Sequence, residues 1–536
     1  MSGDGAPDDG DDFEEVESDI APEGPTADPD AEASSFVEYG IEDKPPLGES
    51  ALLGFQHYLT MIGATVAIPL VLSLEMGMPD AQVGRLIGTF FVVSGIATLA
   101  QTTIGNRYPI VQGGTFSMLA PAIAIIGVVA TNGGGWETMI RELMGAVIVA
   151  GLVEVLIGYF GIMGTLKRYM SPVVIAPVIA LIGLALFDAP QISAAEGQNW
   201  WLLGLTLVLI VLFSQYLDKY SRTFRLYPVL LGIGTAWIIA AVLSVTGFYA
   251  DGSAGYVDLA AVASAPAVQP IYPFQWGMPL FTPAFIIGMI AGMLASAIES
   301  FGDYHAVARM AGKGAPSKKR IDHGIGMEGL GNAFAGIMGT GNGSTSYTEN
   351  VGAIGITGVA SRYVVQIGAN VMIVAGYVGY VGQLFATIPN PIVGGLYIAM
   401  FGQIAAVGLS QLKFVDLDSN RNVFIVGLAL FAGLAIPAYM GNVGDAGTLQ
   451  EGLAAVPVLG AILGSEVVAT TTFVIGQTGM AVGGIIAFVL DNTIEGTAEE
   501  RGVTELEKMS EDEGDFQSFW DRIGGPDSEE RAPGAD

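Results

Sequence analysis

Apolar residues in this chain come in blocks of about twenty, separated by short polar connectors, over more than 400 consecutive positions. A block of that length matches the ~30 Å hydrocarbon thickness of a bilayer when helical. With no water in that layer, backbone polar groups must be satisfied internally, which leaves helices or closed barrels as the spanning structures. The pattern predicts a chain embedded in the membrane as a set of helices. Only 14% of residues are charged, against roughly a quarter in soluble domains. Of the 52 acidic residues, 31 lie in two tails, 1–43 and 491–536.

The segments fall at 51–74, 84–104, 115–130, 143–165, 171–188, 200–216, 227–248, 281–299, 325–340, 348–358, 363–387, 390–409, 422–439 and 466–490. The third and tenth are too short to cross as full helices. Both follow Gly-rich stretches, Gln112-Gly113-Gly114-Thr115-Phe116 and Gly339-Thr340-Gly341-Asn342-Gly343-Ser344, read as short strands. Paired, interrupted segments in corresponding positions point to a transporter site at the interface of two inverted repeats. The expected fold is therefore an all-α polytopic membrane protein with 14 transmembrane segments in two inverted seven-segment repeats. The 75 glycines, about twice the usual share, suit close helix packing or interrupted helices.

Basic residues support this count. With the N-terminus inside, the even-numbered connections carry Arg107, Lys167, Arg168, Lys219, Arg222, Arg225, Arg309, Lys313, Lys318, Lys319, Arg320, Arg362, Lys413 and Arg421. The external ones carry only Arg85 and Arg141, as the positive-inside rule requires. Both termini are expected in the cytoplasm, with the chain integral to the cytoplasmic membrane. No cysteine is present, and His57, His305 and His323 have no metal-ligand spacing, which argues against an intramembrane enzyme. The net charge of −31 suits a protein living in molar salt, and the tails, at 1–50 and 491–536, have the composition of solvating, disordered ends. No cofactor and no nucleic-acid partner are expected.

Ionisable side chains within spans are costly and are functional candidates. His57, beside Gln56, fits a hydrogen-bonded interior histidine as well as a functional one. Glu154 has no evident partner among its neighbours and reads as structural or coupling-related. Glu299 is followed by Asp303 at i+4, on one face if the helix continues, an arrangement suited to proton exchange; an interfacial, solvated loop is the plain alternative. Glu349 and Asn350 open the short tenth segment, where unpaired helix N–H groups can hold a polar ligand. Asn350 and Thr348 could equally be helix caps.

These segments resemble the nucleobase–ascorbate transporter family, the xanthine/uracil permease group. The family's tenth-segment pattern is met by Glu349-Asn350-Val351-Gly352-Ala353-Ile354-Gly355-Ile356-Thr357. The likeness extends to Gln56-His57-Tyr58-Leu59-Thr60-Met61, Pro109-Ile110-Val111-Gln112-Gly113-Gly114, Glu299-Ser300-Phe301-Gly302-Asp303-Tyr304, Val359-Ala360-Ser361-Arg362 and Leu490-Asp491-Asn492-Thr493, and so covers about 50–500. It implies a core domain (51–165 and 281–388), a gate domain (166–280 and 389–490), a homodimer in lipid, and a base bound between core and gate. Glu299 and Glu349 would contact the base, Phe116 and Thr348 would add ring or backbone contacts, and Asp303, Asn350, His57, Gln112 and Thr357 would support the site or the coupling to a proton or sodium. Gly339 to Ser346 look most like the ascorbate-carrying branch, which has Pro where this chain has Glu349. Two carboxylates would repel anionic ascorbate, whereas a uracil or xanthine edge offers N–H donors. The expected function is symport of a nucleobase with a cation, most simply a proton; the competing reading is an ascorbate-like or inorganic anion transporter or channel of the same fold.

Overall fold

A computed structural model describes residues 37–163, 169–194, 198–503, 516 and 518, without the side chains of residues 64, 348, 349 and 351. The parts of the tails at 1–36, 504–515, 517 and 519–536 lie outside the described residues. The chain is mostly helical, and each of the fourteen apolar segments falls on a helix or a broken helix pair.

In the first half these are α1 (Leu47–Glu75), α2 (Asp80–Thr103), α3 (Leu119–Thr131, entered through a 3-10 turn Phe116–Met118), α4 (Trp136–Tyr159), α5 (Pro172–Leu184), α6 (Trp200–Val211) and α7 (Pro228–Val245). The second half holds α8 (Pro283–Met310), α9 (Lys318–Met338), α10 (Thr348–Thr357), α11 (Arg362–Tyr377, continued by Gly379–Ala386), α12 (Asn390–Ser410) and α13 (Asn420–Val443). The last segment is two helices, α14 (Glu466–Gln477) and α15 (Gly479–Thr493), bent by 96° at the break. Among the described residues six helices, α1, α2, α7, α8, α12 (as 390–414) and α13, are long and apolar enough to cross a membrane, and a seventh span results if α14 and α15 count as one.

Local signals set the ends. Proline at the first turn opens α5, α7 and α8, where its missing N–H costs nothing. The Ser317 and Ser361 hydroxyls accept backbone N–H groups of Arg320 and Val364, capping α9 and α11. Gly339 and Gly358, with φ of 79° and 71°, stop α9 and α10 in the left-handed conformation that glycine adopts without strain. Two helices run further than their apolar segments: α8 continues past Glu299 to Met310, and α9 starts at Lys318.

α9 packs along α4, α11 lies against α1 and α2, and α5 is flanked by α12 and α15. The α4–α9 seam is made of glycines. A methyl group on Gly329 would stand 2.7 Å from the Gly151 carbonyl oxygen, so only hydrogen fits there. Between the short helices, β1 (Gln112–Gly113) and β2 (Thr345–Ser346) form an antiparallel pair with Gln112 opposite Ser346 and Gly113 opposite Thr345. Asn342, fully buried in the turn before β2, accepts the Thr115 N–H at 2.8 Å and donates to the Thr115 carbonyl at 3.1 Å.

The basic residues sort by their contacts into two groups. Arg85 meets Gln275, and Arg141 donates to the Met278 carbonyl in the same connection. Elsewhere Arg107 and Arg362 share Glu42 at 2.9 and 2.7 Å, and Arg320 reaches the Asn106 carbonyl.

Candidate substrate site

A cavity of about 540 Å³ opens beside the paired strands. One wall carries Phe116, Glu299 and Asp303, together with β2 and α10. The facing wall is apolar and comes from α5, α7 and α12, with Ile179, Val229 and Met400 among its residues. Arg225, Arg309 and Lys413, all near helix ends, line it as well. A hollow of this size, largely apolar with a few convergent polar groups, is the usual form of a small-molecule site.

α8 continues through Glu299 and Asp303 without a break. They stand one helical turn apart within one helix, and both line the cavity. Glu299 Oε2 accepts the Ser117 hydroxyl at 3.1 Å, which ties the carboxylate to the start of α3. Asp303 is buried. The Phe116 ring meets Phe401 edge-on at 5.6 Å, and Phe401 stacks on Tyr397 at 4.9 Å, so the two walls touch through aromatic rings.

Four of the expected support residues lie behind this wall rather than in it. His57 is buried, and its Nδ1 is 3.1 Å from Asn350 Oδ1. Asn350 Nδ2 donates to the Pro109 carbonyl at 2.7 Å, so the asparagine ties α10 to α1 and to the approach to β1. It is a brace, and neither it nor His57 lines the cavity. Gln112 sits in β1, its N–H held by Thr98 Oγ1 at 2.9 Å and its carbonyl by the Ser94 hydroxyl. Thr357 closes α10, its hydroxyl returned to the Ala353 carbonyl at 2.7 Å. Thr348 and Glu349 open α10, but their side chains lie outside the described residues.

The structure adds a carboxylate that sequence reasoning passed over and gives Glu154 a partner that reasoning did not find. Glu328, buried in α9, accepts Ser300 Oγ at 2.6 Å, Thr345 Oγ1 at 2.9 Å and Tyr304 OH at 3.1 Å. It therefore fastens α8 and β2 to α9. Glu154 is hydrogen-bonded by Asn332 Nδ2, and Asn332 Oδ1 accepts the Ser344 N–H, which joins α4 to the turn before β2. Glu328 lies inside the ninth apolar segment, 325–340, where an ionisable side chain is itself the signal that could have found it. Among the described residues no group of three or more His, Asp or Glu is arranged to hold a metal ion.

This arrangement can hold a flat polar molecule between an acceptor wall and an apolar one. Carboxylate oxygens only accept, so a ligand in contact with Glu299 would have to present donors or a cation there.

Residues 48–441 match the sequence profile of a permease family, Xan_ur_permease. Mouse solute carrier family 23 member 2 is 40% identical over 521 residues, spanning 89% of this chain and 78% of that protein. Nucleobase-ascorbate transporter 12 of Arabidopsis thaliana is 33% identical over 509 residues, 87% of this chain and 71% of the relative. Among solved structures, the transmembrane domain of a cyanobacterial bicarbonate transporter matches with a TM-score of 0.54 at 17% identity, covering 74% of this chain and 98% of that domain. Murine solute carrier 26 family member A9, an anion transporter in the inward-facing state, gives 0.53 at 12% identity over 76% and 68%. These two likenesses concern the fold. The apolar helices, the cavity between two walls and the match over most of the chain agree: the protein is an integral membrane transporter, not an enzyme, and belongs to the nucleobase–ascorbate transporter family of permeases.

Proposed function

We propose that this protein carries a nucleobase of the uracil or xanthine type across the cytoplasmic membrane, driven by symport of a proton. The observation that carries the reading is Glu299, a carboxylate lining the cavity and oriented by Ser117, with Phe116 beside it. A neutral base offers ring N–H donors to the carboxylate and a flat face to the aromatic ring. In this reading Glu349 supplies a second acceptor at the start of α10. Asp303, one turn from Glu299, takes up the coupling proton, with sodium as the other candidate ion.

The two walls support a reading of transport by alternating access. The core comprises α1–α4 and α8–α11, the gate α5–α7 and α12–α15, and the cargo rides on the core wall as it moves against the gate. The antiparallel strand pair, with a short helix after each strand, supports reading the halves as inverted repeats of seven spans each. Both termini face the cytoplasm, and the working unit is a homodimer. Arg225, Arg309 and Lys413 favour a second reading, an ascorbate-like or inorganic anion drawn in by positive charge.

Calorimetry and uptake into proteoliposomes test both. Uracil or xanthine binds and ascorbate does not. Glu299→Gln weakens binding by roughly tenfold to a hundredfold, as expected for loss of a hydrogen bond to a charged group of about 1.5–3 kcal/mol. Asp303→Asn impairs accumulation, and a protonophore abolishes it. Tight ascorbate binding, or unchanged nucleobase affinity in Glu299→Gln, overturns the nucleobase assignment; accumulation that survives the protonophore but needs a sodium gradient overturns the proton.

A further inference from the structure

The cavity is acidic at its depth and basic where it opens, and one stripe of α8 joins the two ends. Glu299, Gly302, Asp303, Ala306 and Arg309 fall at spacings of three and four along that helix, and all line the hollow. Asp303 is buried and Glu299 half-buried, whereas Arg309 is exposed. Between them the stripe is low: a Cβ placed on Gly302 would meet no atom within 4 Å, and Ala306 carries only a methyl group.

Two further cations line the same cavity from the facing wall. Arg225 belongs to the short helix Arg222–Leu226 that leads into α7, and Lys413 to the 3-10 turn Gln411–Phe414 that follows α12. Both are exposed. Each of the three cations stands in the last turn of its element, where it offsets the helix dipole. Three such ends on one cavity also give its mouth a positive potential that attracts anions.

The length of the stripe selects the anion. Arg309 lies ten residues beyond Glu299, a rise of about 15 Å between their Cα atoms at ~1.5 Å per residue. A long helical side chain leans back towards the N-terminus, here towards Glu299, so the guanidinium closes part of that distance. A single heterocycle on Glu299 stops short of the cations, but the same heterocycle carrying a ribose and a 5′-phosphate extends towards them. In uracil the ribose is attached at N1, across the ring from the N3–H. The donor edge therefore stays free for the carboxylate while the phosphate points away from it. Base and ribose then separate the phosphate from Glu299 by a distance comparable with the ~8 Å screening length of physiological salt. An acid as compact as ascorbate has no such separation.

We propose that Arg225, Arg309 and Lys413 form a phosphate subsite, and that together with Glu299 it binds a nucleoside monophosphate of the carried base along the length of the cavity. The base end of this inference rests on the nucleobase reading given above. A ligand that touches Arg309 on the core side and Arg225 and Lys413 on the gate side ties the two walls together. It occupies the site without being carried, and so inhibits uptake of the base.

Displacement of radiolabelled base from the purified full-length protein tests this. For labelled uracil the competitors are uridine, uridine 5′-monophosphate and inorganic phosphate; for labelled xanthine they are xanthosine, its 5′-monophosphate and phosphate. The monophosphate is expected to displace the base at concentrations roughly tenfold to a hundredfold below those of the nucleoside, the effect of one hydrogen bond to a charged group. Inorganic phosphate is expected to leave the base in place. In Arg309→Gln and in Lys413→Gln the ratio of the two affinities falls towards one, and Arg309→Lys restores most of it. High salt lowers the same ratio in the wild type, by screening the mouth. Base binding with a monophosphate no tighter than the nucleoside overturns the subsite and leaves the nucleobase reading standing. A ratio unchanged in both Gln variants, or insensitive to salt, also overturns the subsite. Displacement by inorganic phosphate at the concentrations at which the monophosphate acts overturns the nucleotide assignment. Failure of both uracil and xanthine to bind overturns the nucleobase reading, and this inference with it.

Discussion

Gly329→Ala in α9 is the perturbation whose cost follows most directly from the geometry. The new methyl group would press closest on the Val155 backbone nitrogen and lie 2.7 Å from the Gly151 carbonyl oxygen and 2.9 Å from the Glu154 carbonyl carbon, all rigid backbone of α4. Relief to an ordinary contact requires the two helices to part by on the order of 1 Å, and overpacking of this kind costs about 1–3 kcal/mol. The parting also stretches the hydrogen bond from Asn332 to Glu154, three residues along the same seam. A buried acceptor left unsatisfied costs a further ~1–3 kcal/mol. Alanine's better helix propensity returns about 1 kcal/mol, so the net loss is on the order of 1–5 kcal/mol. Gly331→Ala, two residues away, is the control: its methyl would meet the Ala97 side chain at 3.4 Å, an ordinary contact. Heating detergent-solubilised protein and following the monodisperse fraction by size exclusion reads the difference. Gly329→Ala melts several degrees below wild type and Gly331→Ala at or above it. If Gly329→Ala melts at or above wild type, the α4–α9 seam is not closed by glycine.

Single cysteines at Ser253 and Thr448, both exposed, are labelled by an impermeant reagent from outside, and one at Lys313 only from the cytoplasmic side; the reverse pattern sinks the orientation. Asn342→Ala removes both bonds to the Thr115 backbone and leaves two buried groups unpaired, at roughly 1–3 kcal/mol each. Its thermal midpoint falls further than that of Gly331→Ala. Ser117→Ala frees Glu299 from its orienting hydroxyl. It weakens nucleobase binding less than Glu299→Gln does, and titration calorimetry on the two variants gives the order.

Signals that live within a few residues of each other were legible in the sequence. Segment positions, the two shortened segments with their Gly-rich approaches, and Glu299 and Asp303 on one face all follow from hydropathy and i+4 spacing. What escaped depends on residues far apart in the chain. The partner of Glu154 is Asn332, and Glu328 gathers hydroxyls from Ser300, Tyr304 and Thr345 on two other elements. Such pairings are set by tertiary packing, which no local pattern encodes. His57 and Asn350 were picked out as unusual residues for a span, but only the fold shows that they brace the wall rather than line it. The two outward-running helix ends, at Met310 and Lys318, carry charge that hydropathy reads as loop. Phe516, a lone aromatic in an acidic tail, gave no sign of its seat on Arg320.

The strand pair beside the cavity is made by backbone atoms alone, two residues on each side. Backbone pairing forms the ladder, and the side chains of Asn342 and Glu328 hold it in place from outside. Phe116 and Ser117 follow one strand closely and α10 follows the other, so side chains beside the strands can be exchanged while the backbone frame that presents them stays intact. On the proposed site, selectivity and architecture are thereby separable in inheritance: a substitution beside the strands would retune what is carried, while one at Asn342 or Asn350, whose side chains hold that backbone together, would disturb the frame itself.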